Sequence, residues 1–156
     1  MISINIPGFK PLELSHLVSD YNGTLALDGV LLPGVADALK ALSQHLQIHV
    51  ITADTFGLAK HQLEGLPLEL HITPVESQAE TKLAFVNSLG AQSVVALGNG
   101  RNDRLMLQAA ALGIALIQRE GAAAPTLASA DLVCTSVQDA LALLTTPKRL
   151  TATLRS

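Results

Sequence analysis

"HLVSDYNGTLALDG", residues 16–29, runs an apolar stretch into a carboxylate and then a glycine turn. Leu17 and Val18 read as part of a buried strand that ends on Asp20, followed by Asn22, Gly23 and Thr24. A desolvated carboxylate without a partner is expensive, so a strand ending this way calls for a metal ion, a lysine or loop N–H donors. Gly23 permits a sharp turn that turns amide groups toward an anion, and Thr24 adds a hydroxyl. Alone, the same pattern also describes an ordinary turn initiated by Asp.

The sequence on either side places this strand in a layered fold. Upstream, "ISINI" and "LEL" flank the turn-rich "PGFK" and predict a short β-hairpin leading into the buried run. Downstream, after a flap-like polar stretch ending at Pro33-Gly34, Val35, Leu39, Leu42 and Leu46 recur at the spacing of one helical face. Strands and helices then alternate: strand "IHVIT", helix 54–64, strand "LELHIT", helix 76–89, strand "SVVALG", helix 102–111, strand "GIALI", helix 122–129, strand "DLVC" and helix 136–144. Such alternation implies parallel pairing, because each crossover returns the chain to the same end of the sheet. The expected fold is a doubly wound, Rossmann-like α/β sandwich in one domain over residues 1–156, with an additional N-terminal hairpin.

Composition agrees. The chain of 156 residues is 49% hydrophobic but only 3% aromatic, so its core must be built from Ala, Leu, Val and Ile. A formal charge of −3 with scattered basic residues offers no footprint for nucleic acid. Cys134, the single cysteine, excludes an internal disulfide framework and reads as a small buried hydrophobe. No secretory signal or membrane-length apolar run is apparent, which makes the cytoplasm the expected compartment and gives no membrane partner.

Ligands in open parallel sheets sit at the carboxyl ends of the strands. The residues to watch are therefore Asp20, Asn22 and Thr24, then Thr52 and Asp54 after "HVI", and Asn99 to Asp103 after "VVAL", with Lys82 on the helix before that last strand. "ALGNGRNDRLML" supplies oxygen ligands and backbone donors, although a glycine-assisted turn with an Asn or Asp cap would look alike.

Together, Asp20-Tyr21-Asn22-Gly23-Thr24, Thr52-Ala53-Asp54, Lys82 and Gly98-Asn99-Gly100-Arg101-Asn102-Asp103 resemble the four motifs of the haloacid dehalogenase-like (HAD) superfamily. The nearest flavour is the phosphorylation domain of P-type ATPases, with motifs DKTGT, TGD and GDGxND. The resemblance implies a Mg²⁺-dependent phosphatase working through an aspartyl phosphate. Asp20 would attack phosphorus; Gly23, Thr24, Thr52 and Ala53 would hold the phosphate; Lys82 would neutralise both nucleophile and phosphate. Mg²⁺ would bind Asp20, the main-chain carbonyl of Asn22, and Asn99 or Asp103. The substrate would be a phosphorylated small molecule or macromolecule.

Two positions depart from that pattern. Asn22 stands where phosphatases of the superfamily carry an acid and base, and losing such a group typically costs about 10² to 10⁴ in rate. Asn99 replaces a metal-binding Asp, so Asp20, Asp103 and Lys82 sum to one negative charge, and metal binding should be weak and assisted by phosphate. Slow turnover follows, and a phospholigand-binding or regulatory module is the alternative. Asp54 could take over proton transfer or cap the helix that follows it.

Thr24 and Thr52 are 28 positions apart, as are Asp54 and Lys82, which leaves no room for a cap domain. An uncapped site is open to water and large substrates unless a second copy covers it. The hairpin, with Ile2, Ile4 and Ile6 alternating along an edge, would offer an oligomer contact. Arg101 and Arg104 read as solvated loop residues, with substrate phosphate as their other role. His16, His45, His49, His61 and His71 lack a metal-ligand spacing such as H-x-x-x-H and read as structural or surface residues. The tail "PKRLTATLRS" reads as solvated or docked on the body, with a partner-binding helix as the alternative.

Overall fold

The computed structural model describes residues 1–55 and 57–156. In chain order the elements are β1 (Ile2–Asn5), β2 (Pro11–Leu14), β3 (His16–Ser19), β4 (Ala26–Leu27), β5 (Val30–Leu31), α1 (Val35–Leu42), β6 (Gln47–Thr52), α2 (Leu58–Leu63) and β7 (Glu69–Ile72). They continue with α3 (Gln78–Leu89), β8 (Val94–Gly98), α4 (Arg104–Ala109), β9 (Leu112–Leu116), α5 (Ala124–Ser129), β10 (Leu132–Cys134), α6 (Val137–Thr145) and α7 (Pro147–Leu154).

Over the described residues the main sheet runs β10-β9-β8-β3-β6-β7, every pair parallel. The chain lays β6 and β7 on one side of β3, then crosses back to lay β8, β9 and β10 on the other. β3 therefore lies at the switch point, where the loops on its two sides diverge and leave a crevice. Ser19 pairs with Val50 and with Leu97, so Asp20, Thr52 and Asn99 all fall just past one lip of the sheet.

Both faces are covered. Leu17, Ile48, Val50, Val95, Leu97 and Ile114 pack against α1, α6 and the hairpin. Val18, Ile51, Ala96 and Ala115 pack against Val86 of α3 and Met106 and Leu107 of α4. Burial on two faces is why these strands read as continuous apolar runs rather than alternating ones. Each fully buried Leu, Ile or Val side chain contributes about 1.5–3 kcal/mol.

The hairpin β1-β2 forms in antiparallel register as expected. Its isoleucines are not a free edge, however: Ile4 and Ile6 are buried in the chain's own core, with Ile2 packed against it. The oligomer contact expected from that stripe is thus already occupied by the chain itself. The tail is a helix docked on the body: Leu150 of α7 is fully buried, and the Ser156 amide donates to the Pro7 carbonyl at 3.0 Å. Cys134 is only half-buried, at the end of β10, and burial followed by the charge of Asp139 pushes its thiol pKa up. Among the described residues, no helix is long and apolar enough to cross a membrane. Between Thr24 and Thr52 the chain spends its length on the β4-β5 flap, α1 and β6, and between Asp54 and Lys82 on α2, β7 and the first turn of α3.

Candidate active site

Asp20 leaves β3 with its backbone still in the ladder, the N–H donating to Leu97 O at 3.0 Å. The cation that its burial demands is Lys82. The ammonium, 1% exposed, donates to Asp20 Oδ1 at 3.0 Å, to Asp103 Oδ1 at 2.8 Å and to Asn102 Oδ1 at 3.2 Å. Burial alone would lower its pKa, but Asp20 and Asp103, through charge and hydrogen bonds, outweigh it and leave the pKa raised. Lys82 is therefore a fixed positive charge beneath Asp20.

Asp103 is wholly committed. Its Oδ1 accepts from Lys82, and its Oδ2 accepts from the N–H groups of Asn99 at 3.0 Å and Gly100 at 2.9 Å. Burial first, then the charge of Asp20, pushes its carboxyl up to about 7 against the pull of Lys82. Gly98 makes this closure possible, since a Cβ there would run into the Asp103 side chain.

Among the described residues, no group hydrogen-bonds Asp20 Oδ2, and Asp20 lines a cleft of about 310 Å³. Asn22, Thr52, Ala53, Gln78, Asn99 and Asn102 share that lining. The cleft lies at the crevice that the strand order leaves beside β3. Glu120, in the loop after β9, places an exposed carboxylate on it.

The loop after Asp20 is built tightly. The Tyr21 carbonyl accepts from the N–H groups of Thr24, Leu25 and Ala26, and the Gly23 N–H donates to Ala26 O at 2.7 Å. Gly23 has φ 80°, and a Cβ there would strike the Asn99 side chain. The Tyr21 hydroxyl donates to Gly29 O at 2.8 Å, and burial, then Asp54, pushes its pKa up to about 12. The Asn22 Oδ1 accepts from the Gly29 N–H at 2.9 Å, so this amide ties the flap to the loop.

The side chains that the sequence singled out take several different places. Thr24 is fully buried behind the cleft, its hydroxyl donating to Asn99 Oδ1 at 3.3 Å, and the Gly23 amide is spent inside the turn. Lys82 likewise spends its donors on the two acids and Asn102 rather than facing the cleft. Asp103 is fully buried, with one oxygen accepting from Lys82 and the other from two loop amides. Asp54 acts as a cap: its Oδ1 accepts from Ala59 N at 2.8 Å and its Oδ2 from Lys60 N at 3.1 Å. Arg101 is exposed, and Arg104 donates to the Arg101 carbonyl at 3.0 Å.

Two contributors escaped the sequence reading. Gln118 donates to the carbonyls of Gly23 at 3.2 Å and Thr24 at 2.9 Å, while its Oε1 accepts from Val137 N at 2.8 Å. It thereby braces the Asp20 loop against α6. Gln78 accepts from Asn102 Nδ2 at 2.9 Å and orients the amide that meets Lys82. No motif marks either one. The histidine reading also changes, because His49 and His71 converge with Glu69.

A cation in the cleft would meet oxygen-bearing residues along its lining, Asp20, Asn22 and Asn99. Oxygen-only ligation with waters completing the shell is what Mg²⁺ takes.

No family model matches the chain. An uncharacterized protein of Methanocaldococcus jannaschii, MJ0073, is 47% identical over 83 residues, which span 51% of this chain and 89% of that protein. Among solved structures, the chain is similar to 3-deoxy-D-manno-octulosonate 8-phosphate phosphatase from Moraxella catarrhalis, determined with magnesium and phosphate. The TM-score is 0.72 at 16% identity, over 92% of this chain and 94% of that one. A HAD superfamily (subfamily III A) hydrolase from Legionella pneumophila gives 0.71 at 18% identity, over 90% and 86%. The catalytic domain of the CPx-ATPase CopB-B gives 0.61 at 22% identity, over 74% of this chain and 46% of that one.

Proposed function

We propose that this chain, which belongs to one family with the M. jannaschii protein MJ0073 and has the haloacid dehalogenase fold, is a Mg²⁺-dependent phosphohydrolase that works through an aspartyl phosphate on Asp20. One observation carries the reading: Asp20 lines the cleft with one oxygen held by a buried lysine, while among the described residues nothing hydrogen-bonds the other. A carboxylate so held is oriented for in-line attack on phosphorus.

In the first half-reaction Asp20 Oδ2 forms a bond to phosphorus as the bond to the leaving oxygen breaks. That oxygen takes a proton from water, because the Asn22 amide has none to give near neutral pH. In the second, water attacks the aspartyl phosphate, releasing inorganic phosphate and restoring the carboxylate. Lys82 holds Asp20 aimed throughout, and acts on the phosphate through its own charge. Thr52 and Ala53 are the phosphate-binding groups on the cleft wall. Mg²⁺, held by Asp20, the Asn22 carbonyl and Asn99, would screen the repulsion between carboxylate and phosphate. With one formal negative charge among Asp20, Asp103 and Lys82, these residues would hold it weakly until phosphate arrives. The open cleft suits a large phosphorylated substrate, or a small one if a second copy covers it, and the cytoplasm is its setting.

A second reading, a phospholigand-binding module, is favoured by the Asn22 amide, which serves the flap and cannot move a proton. Hydrolysis of para-nitrophenyl phosphate with and without Mg²⁺, run beside Asp20→Asn, separates the two. The phosphohydrolase gives slow Mg²⁺-dependent release that Asp20→Asn abolishes. Phosphate binding with no release above the Asp20→Asn background selects the module.

A further inference from the structure

A second cluster lies away from the Asp20 cleft, on the sheet face that α3 covers. His49 of β6 pairs in register with Glu69 of β7, and His71 stands two residues further along the same strand. Residues two apart on a strand share a face, so the three side chains meet. His49 Nδ1 lies 3.2 Å from His71 Nε2, and Glu69 Oε2 lies 3.5 Å from each of those nitrogens.

That triangle has the dimensions of a metal site. A tetrahedral ion bonded at about 2.1 Å to nitrogen and oxygen holds its ligands about 3.4 Å apart. The surroundings prepare the ligand atoms. The far nitrogen of His49, Nε2, lies 3.3 Å from His16 Nδ1, and the far oxygen of Glu69, Oε1, accepts from Gln47 Nε2 at 3.0 Å. A proton on His49 Nε2 shared with His16 leaves the Nδ1 lone pair for the ion, which is how outer partners fix a ligating histidine. The Phe85 ring walls one side, with centroids 5.3 Å from His49 and 4.4 Å from His71. The other side is open, since the Glu69 side chain is 55% exposed and β7 is the sheet's edge strand.

We propose that His49, Glu69 and His71 form a transition-metal site of the zinc class, with a fourth position open to water and His16 and Gln47 as positioning residues. Two imidazoles and one carboxylate suit Zn²⁺ or Co²⁺ and not Mg²⁺. The ion would fasten the edge strand β7 to β6 independently of the phosphate chemistry.

The test is a Co²⁺ titration of the full chain in excess Mg²⁺, which occupies the oxygen donors of the cleft. The expected result is one equivalent of intense four-coordinate absorption, displaced by Zn²⁺ and retained by Asp20→Asn. His71→Ala and Glu69→Ala should each abolish it while keeping the metal-free circular dichroism of the parent. His16→Ala should weaken affinity about 10–100-fold. Zn²⁺ should raise the melting temperature of the parent and not of His71→Ala. A parent that shows no four-coordinate absorption, or a His71→Ala or Glu69→Ala protein that keeps the parent's spectrum and affinity, would overturn the assignment.

Discussion

Lys82 is a buried ammonium between two carboxylates, and such an arrangement is costly to half-dismantle. Lys82→Met leaves Asp20 and Asp103 facing one another without a counter-ion, and should cost about 3–5 kcal/mol in urea unfolding at neutral pH. The pH dependence has a definite sign. The Asp103 carboxyl lies at about 7 in the fold, against 3.8 for an unperturbed one, so the folded state binds more protons within that window. Without the pull of Lys82 that carboxyl moves higher still in the variant, so the variant's stability rises as pH falls through about 7 and on toward 4, where repulsion between the two acids is relieved. Asn22→Asp is the complementary experiment. It keeps the acceptor that the Gly29 N–H needs and adds a titratable group, so phosphate release should increase by about 10²-fold or more. An unchanged rate would remove position 22 from proton transfer. Sequence alone poses the problem of Asp20 but not its solution. Lys82 and Asp103 are 62 and 83 positions away from it, and only the family resemblance joins them in advance. How the oxygens of Asp103 and the hydroxyl of Thr24 are spent depends on register and loop closure, which no spacing rule conveys.

Among the elements, strands were legible, and helix starts were displaced by up to four residues. Apolar runs place each parallel strand within a residue or two, most clearly in β3, β6, β8 and β9, where burial on both faces leaves a continuous signal. The helix expected at 54–64 begins instead at Leu58, with Phe56 outside the described residues. Asp54 takes a left-handed φ of 41° and reaches forward to the N–H groups of Ala59 and Lys60. Asp54→Ala should therefore cost about 0.5–2 kcal/mol, the usual worth of a cap, and leave phosphate release unchanged. A fall in release matching that of Asp20→Asn would return Asp54 to the chemistry. α3 starts at Gln78 rather than 76 because Ser77 is left-handed at φ 54°. α4 starts at Arg104 because residues 101–103 form a tight turn around the Asp103 carboxylate. α1 stops at Leu42, yet Leu46 is still buried beyond it, so the helical spacing identified the right face and overran the helix. Side chains that reach backbone groups decide these boundaries, and hydrophobic periodicity does not register them.

At the scale of the molecule, strand alternation implied the parallel sheet, while the β10-β9-β8-β3-β6-β7 order required the structure. That order puts β3 at the switch point and so puts Asp20 on the crevice. The same framework turns the hairpin inward and uses α7 as a clasp. Leu150→Ala should cost about 2–5 kcal/mol, as deletion of a fully buried leucine does, with little effect on the cleft. Catalysis is the claim on which the functional account rests, and it places one covalent bond on one atom. The direct measurement is to incubate the protein with a phosphoryl donor and Mg²⁺, quench in acid and locate added mass by peptide mass spectrometry. The account predicts one phosphoryl group on the peptide carrying Asp20, absent without Mg²⁺ and absent in Asp20→Asn. Phosphate release from the donor with no label on that peptide at any quench time, or label on a different residue, would contradict it.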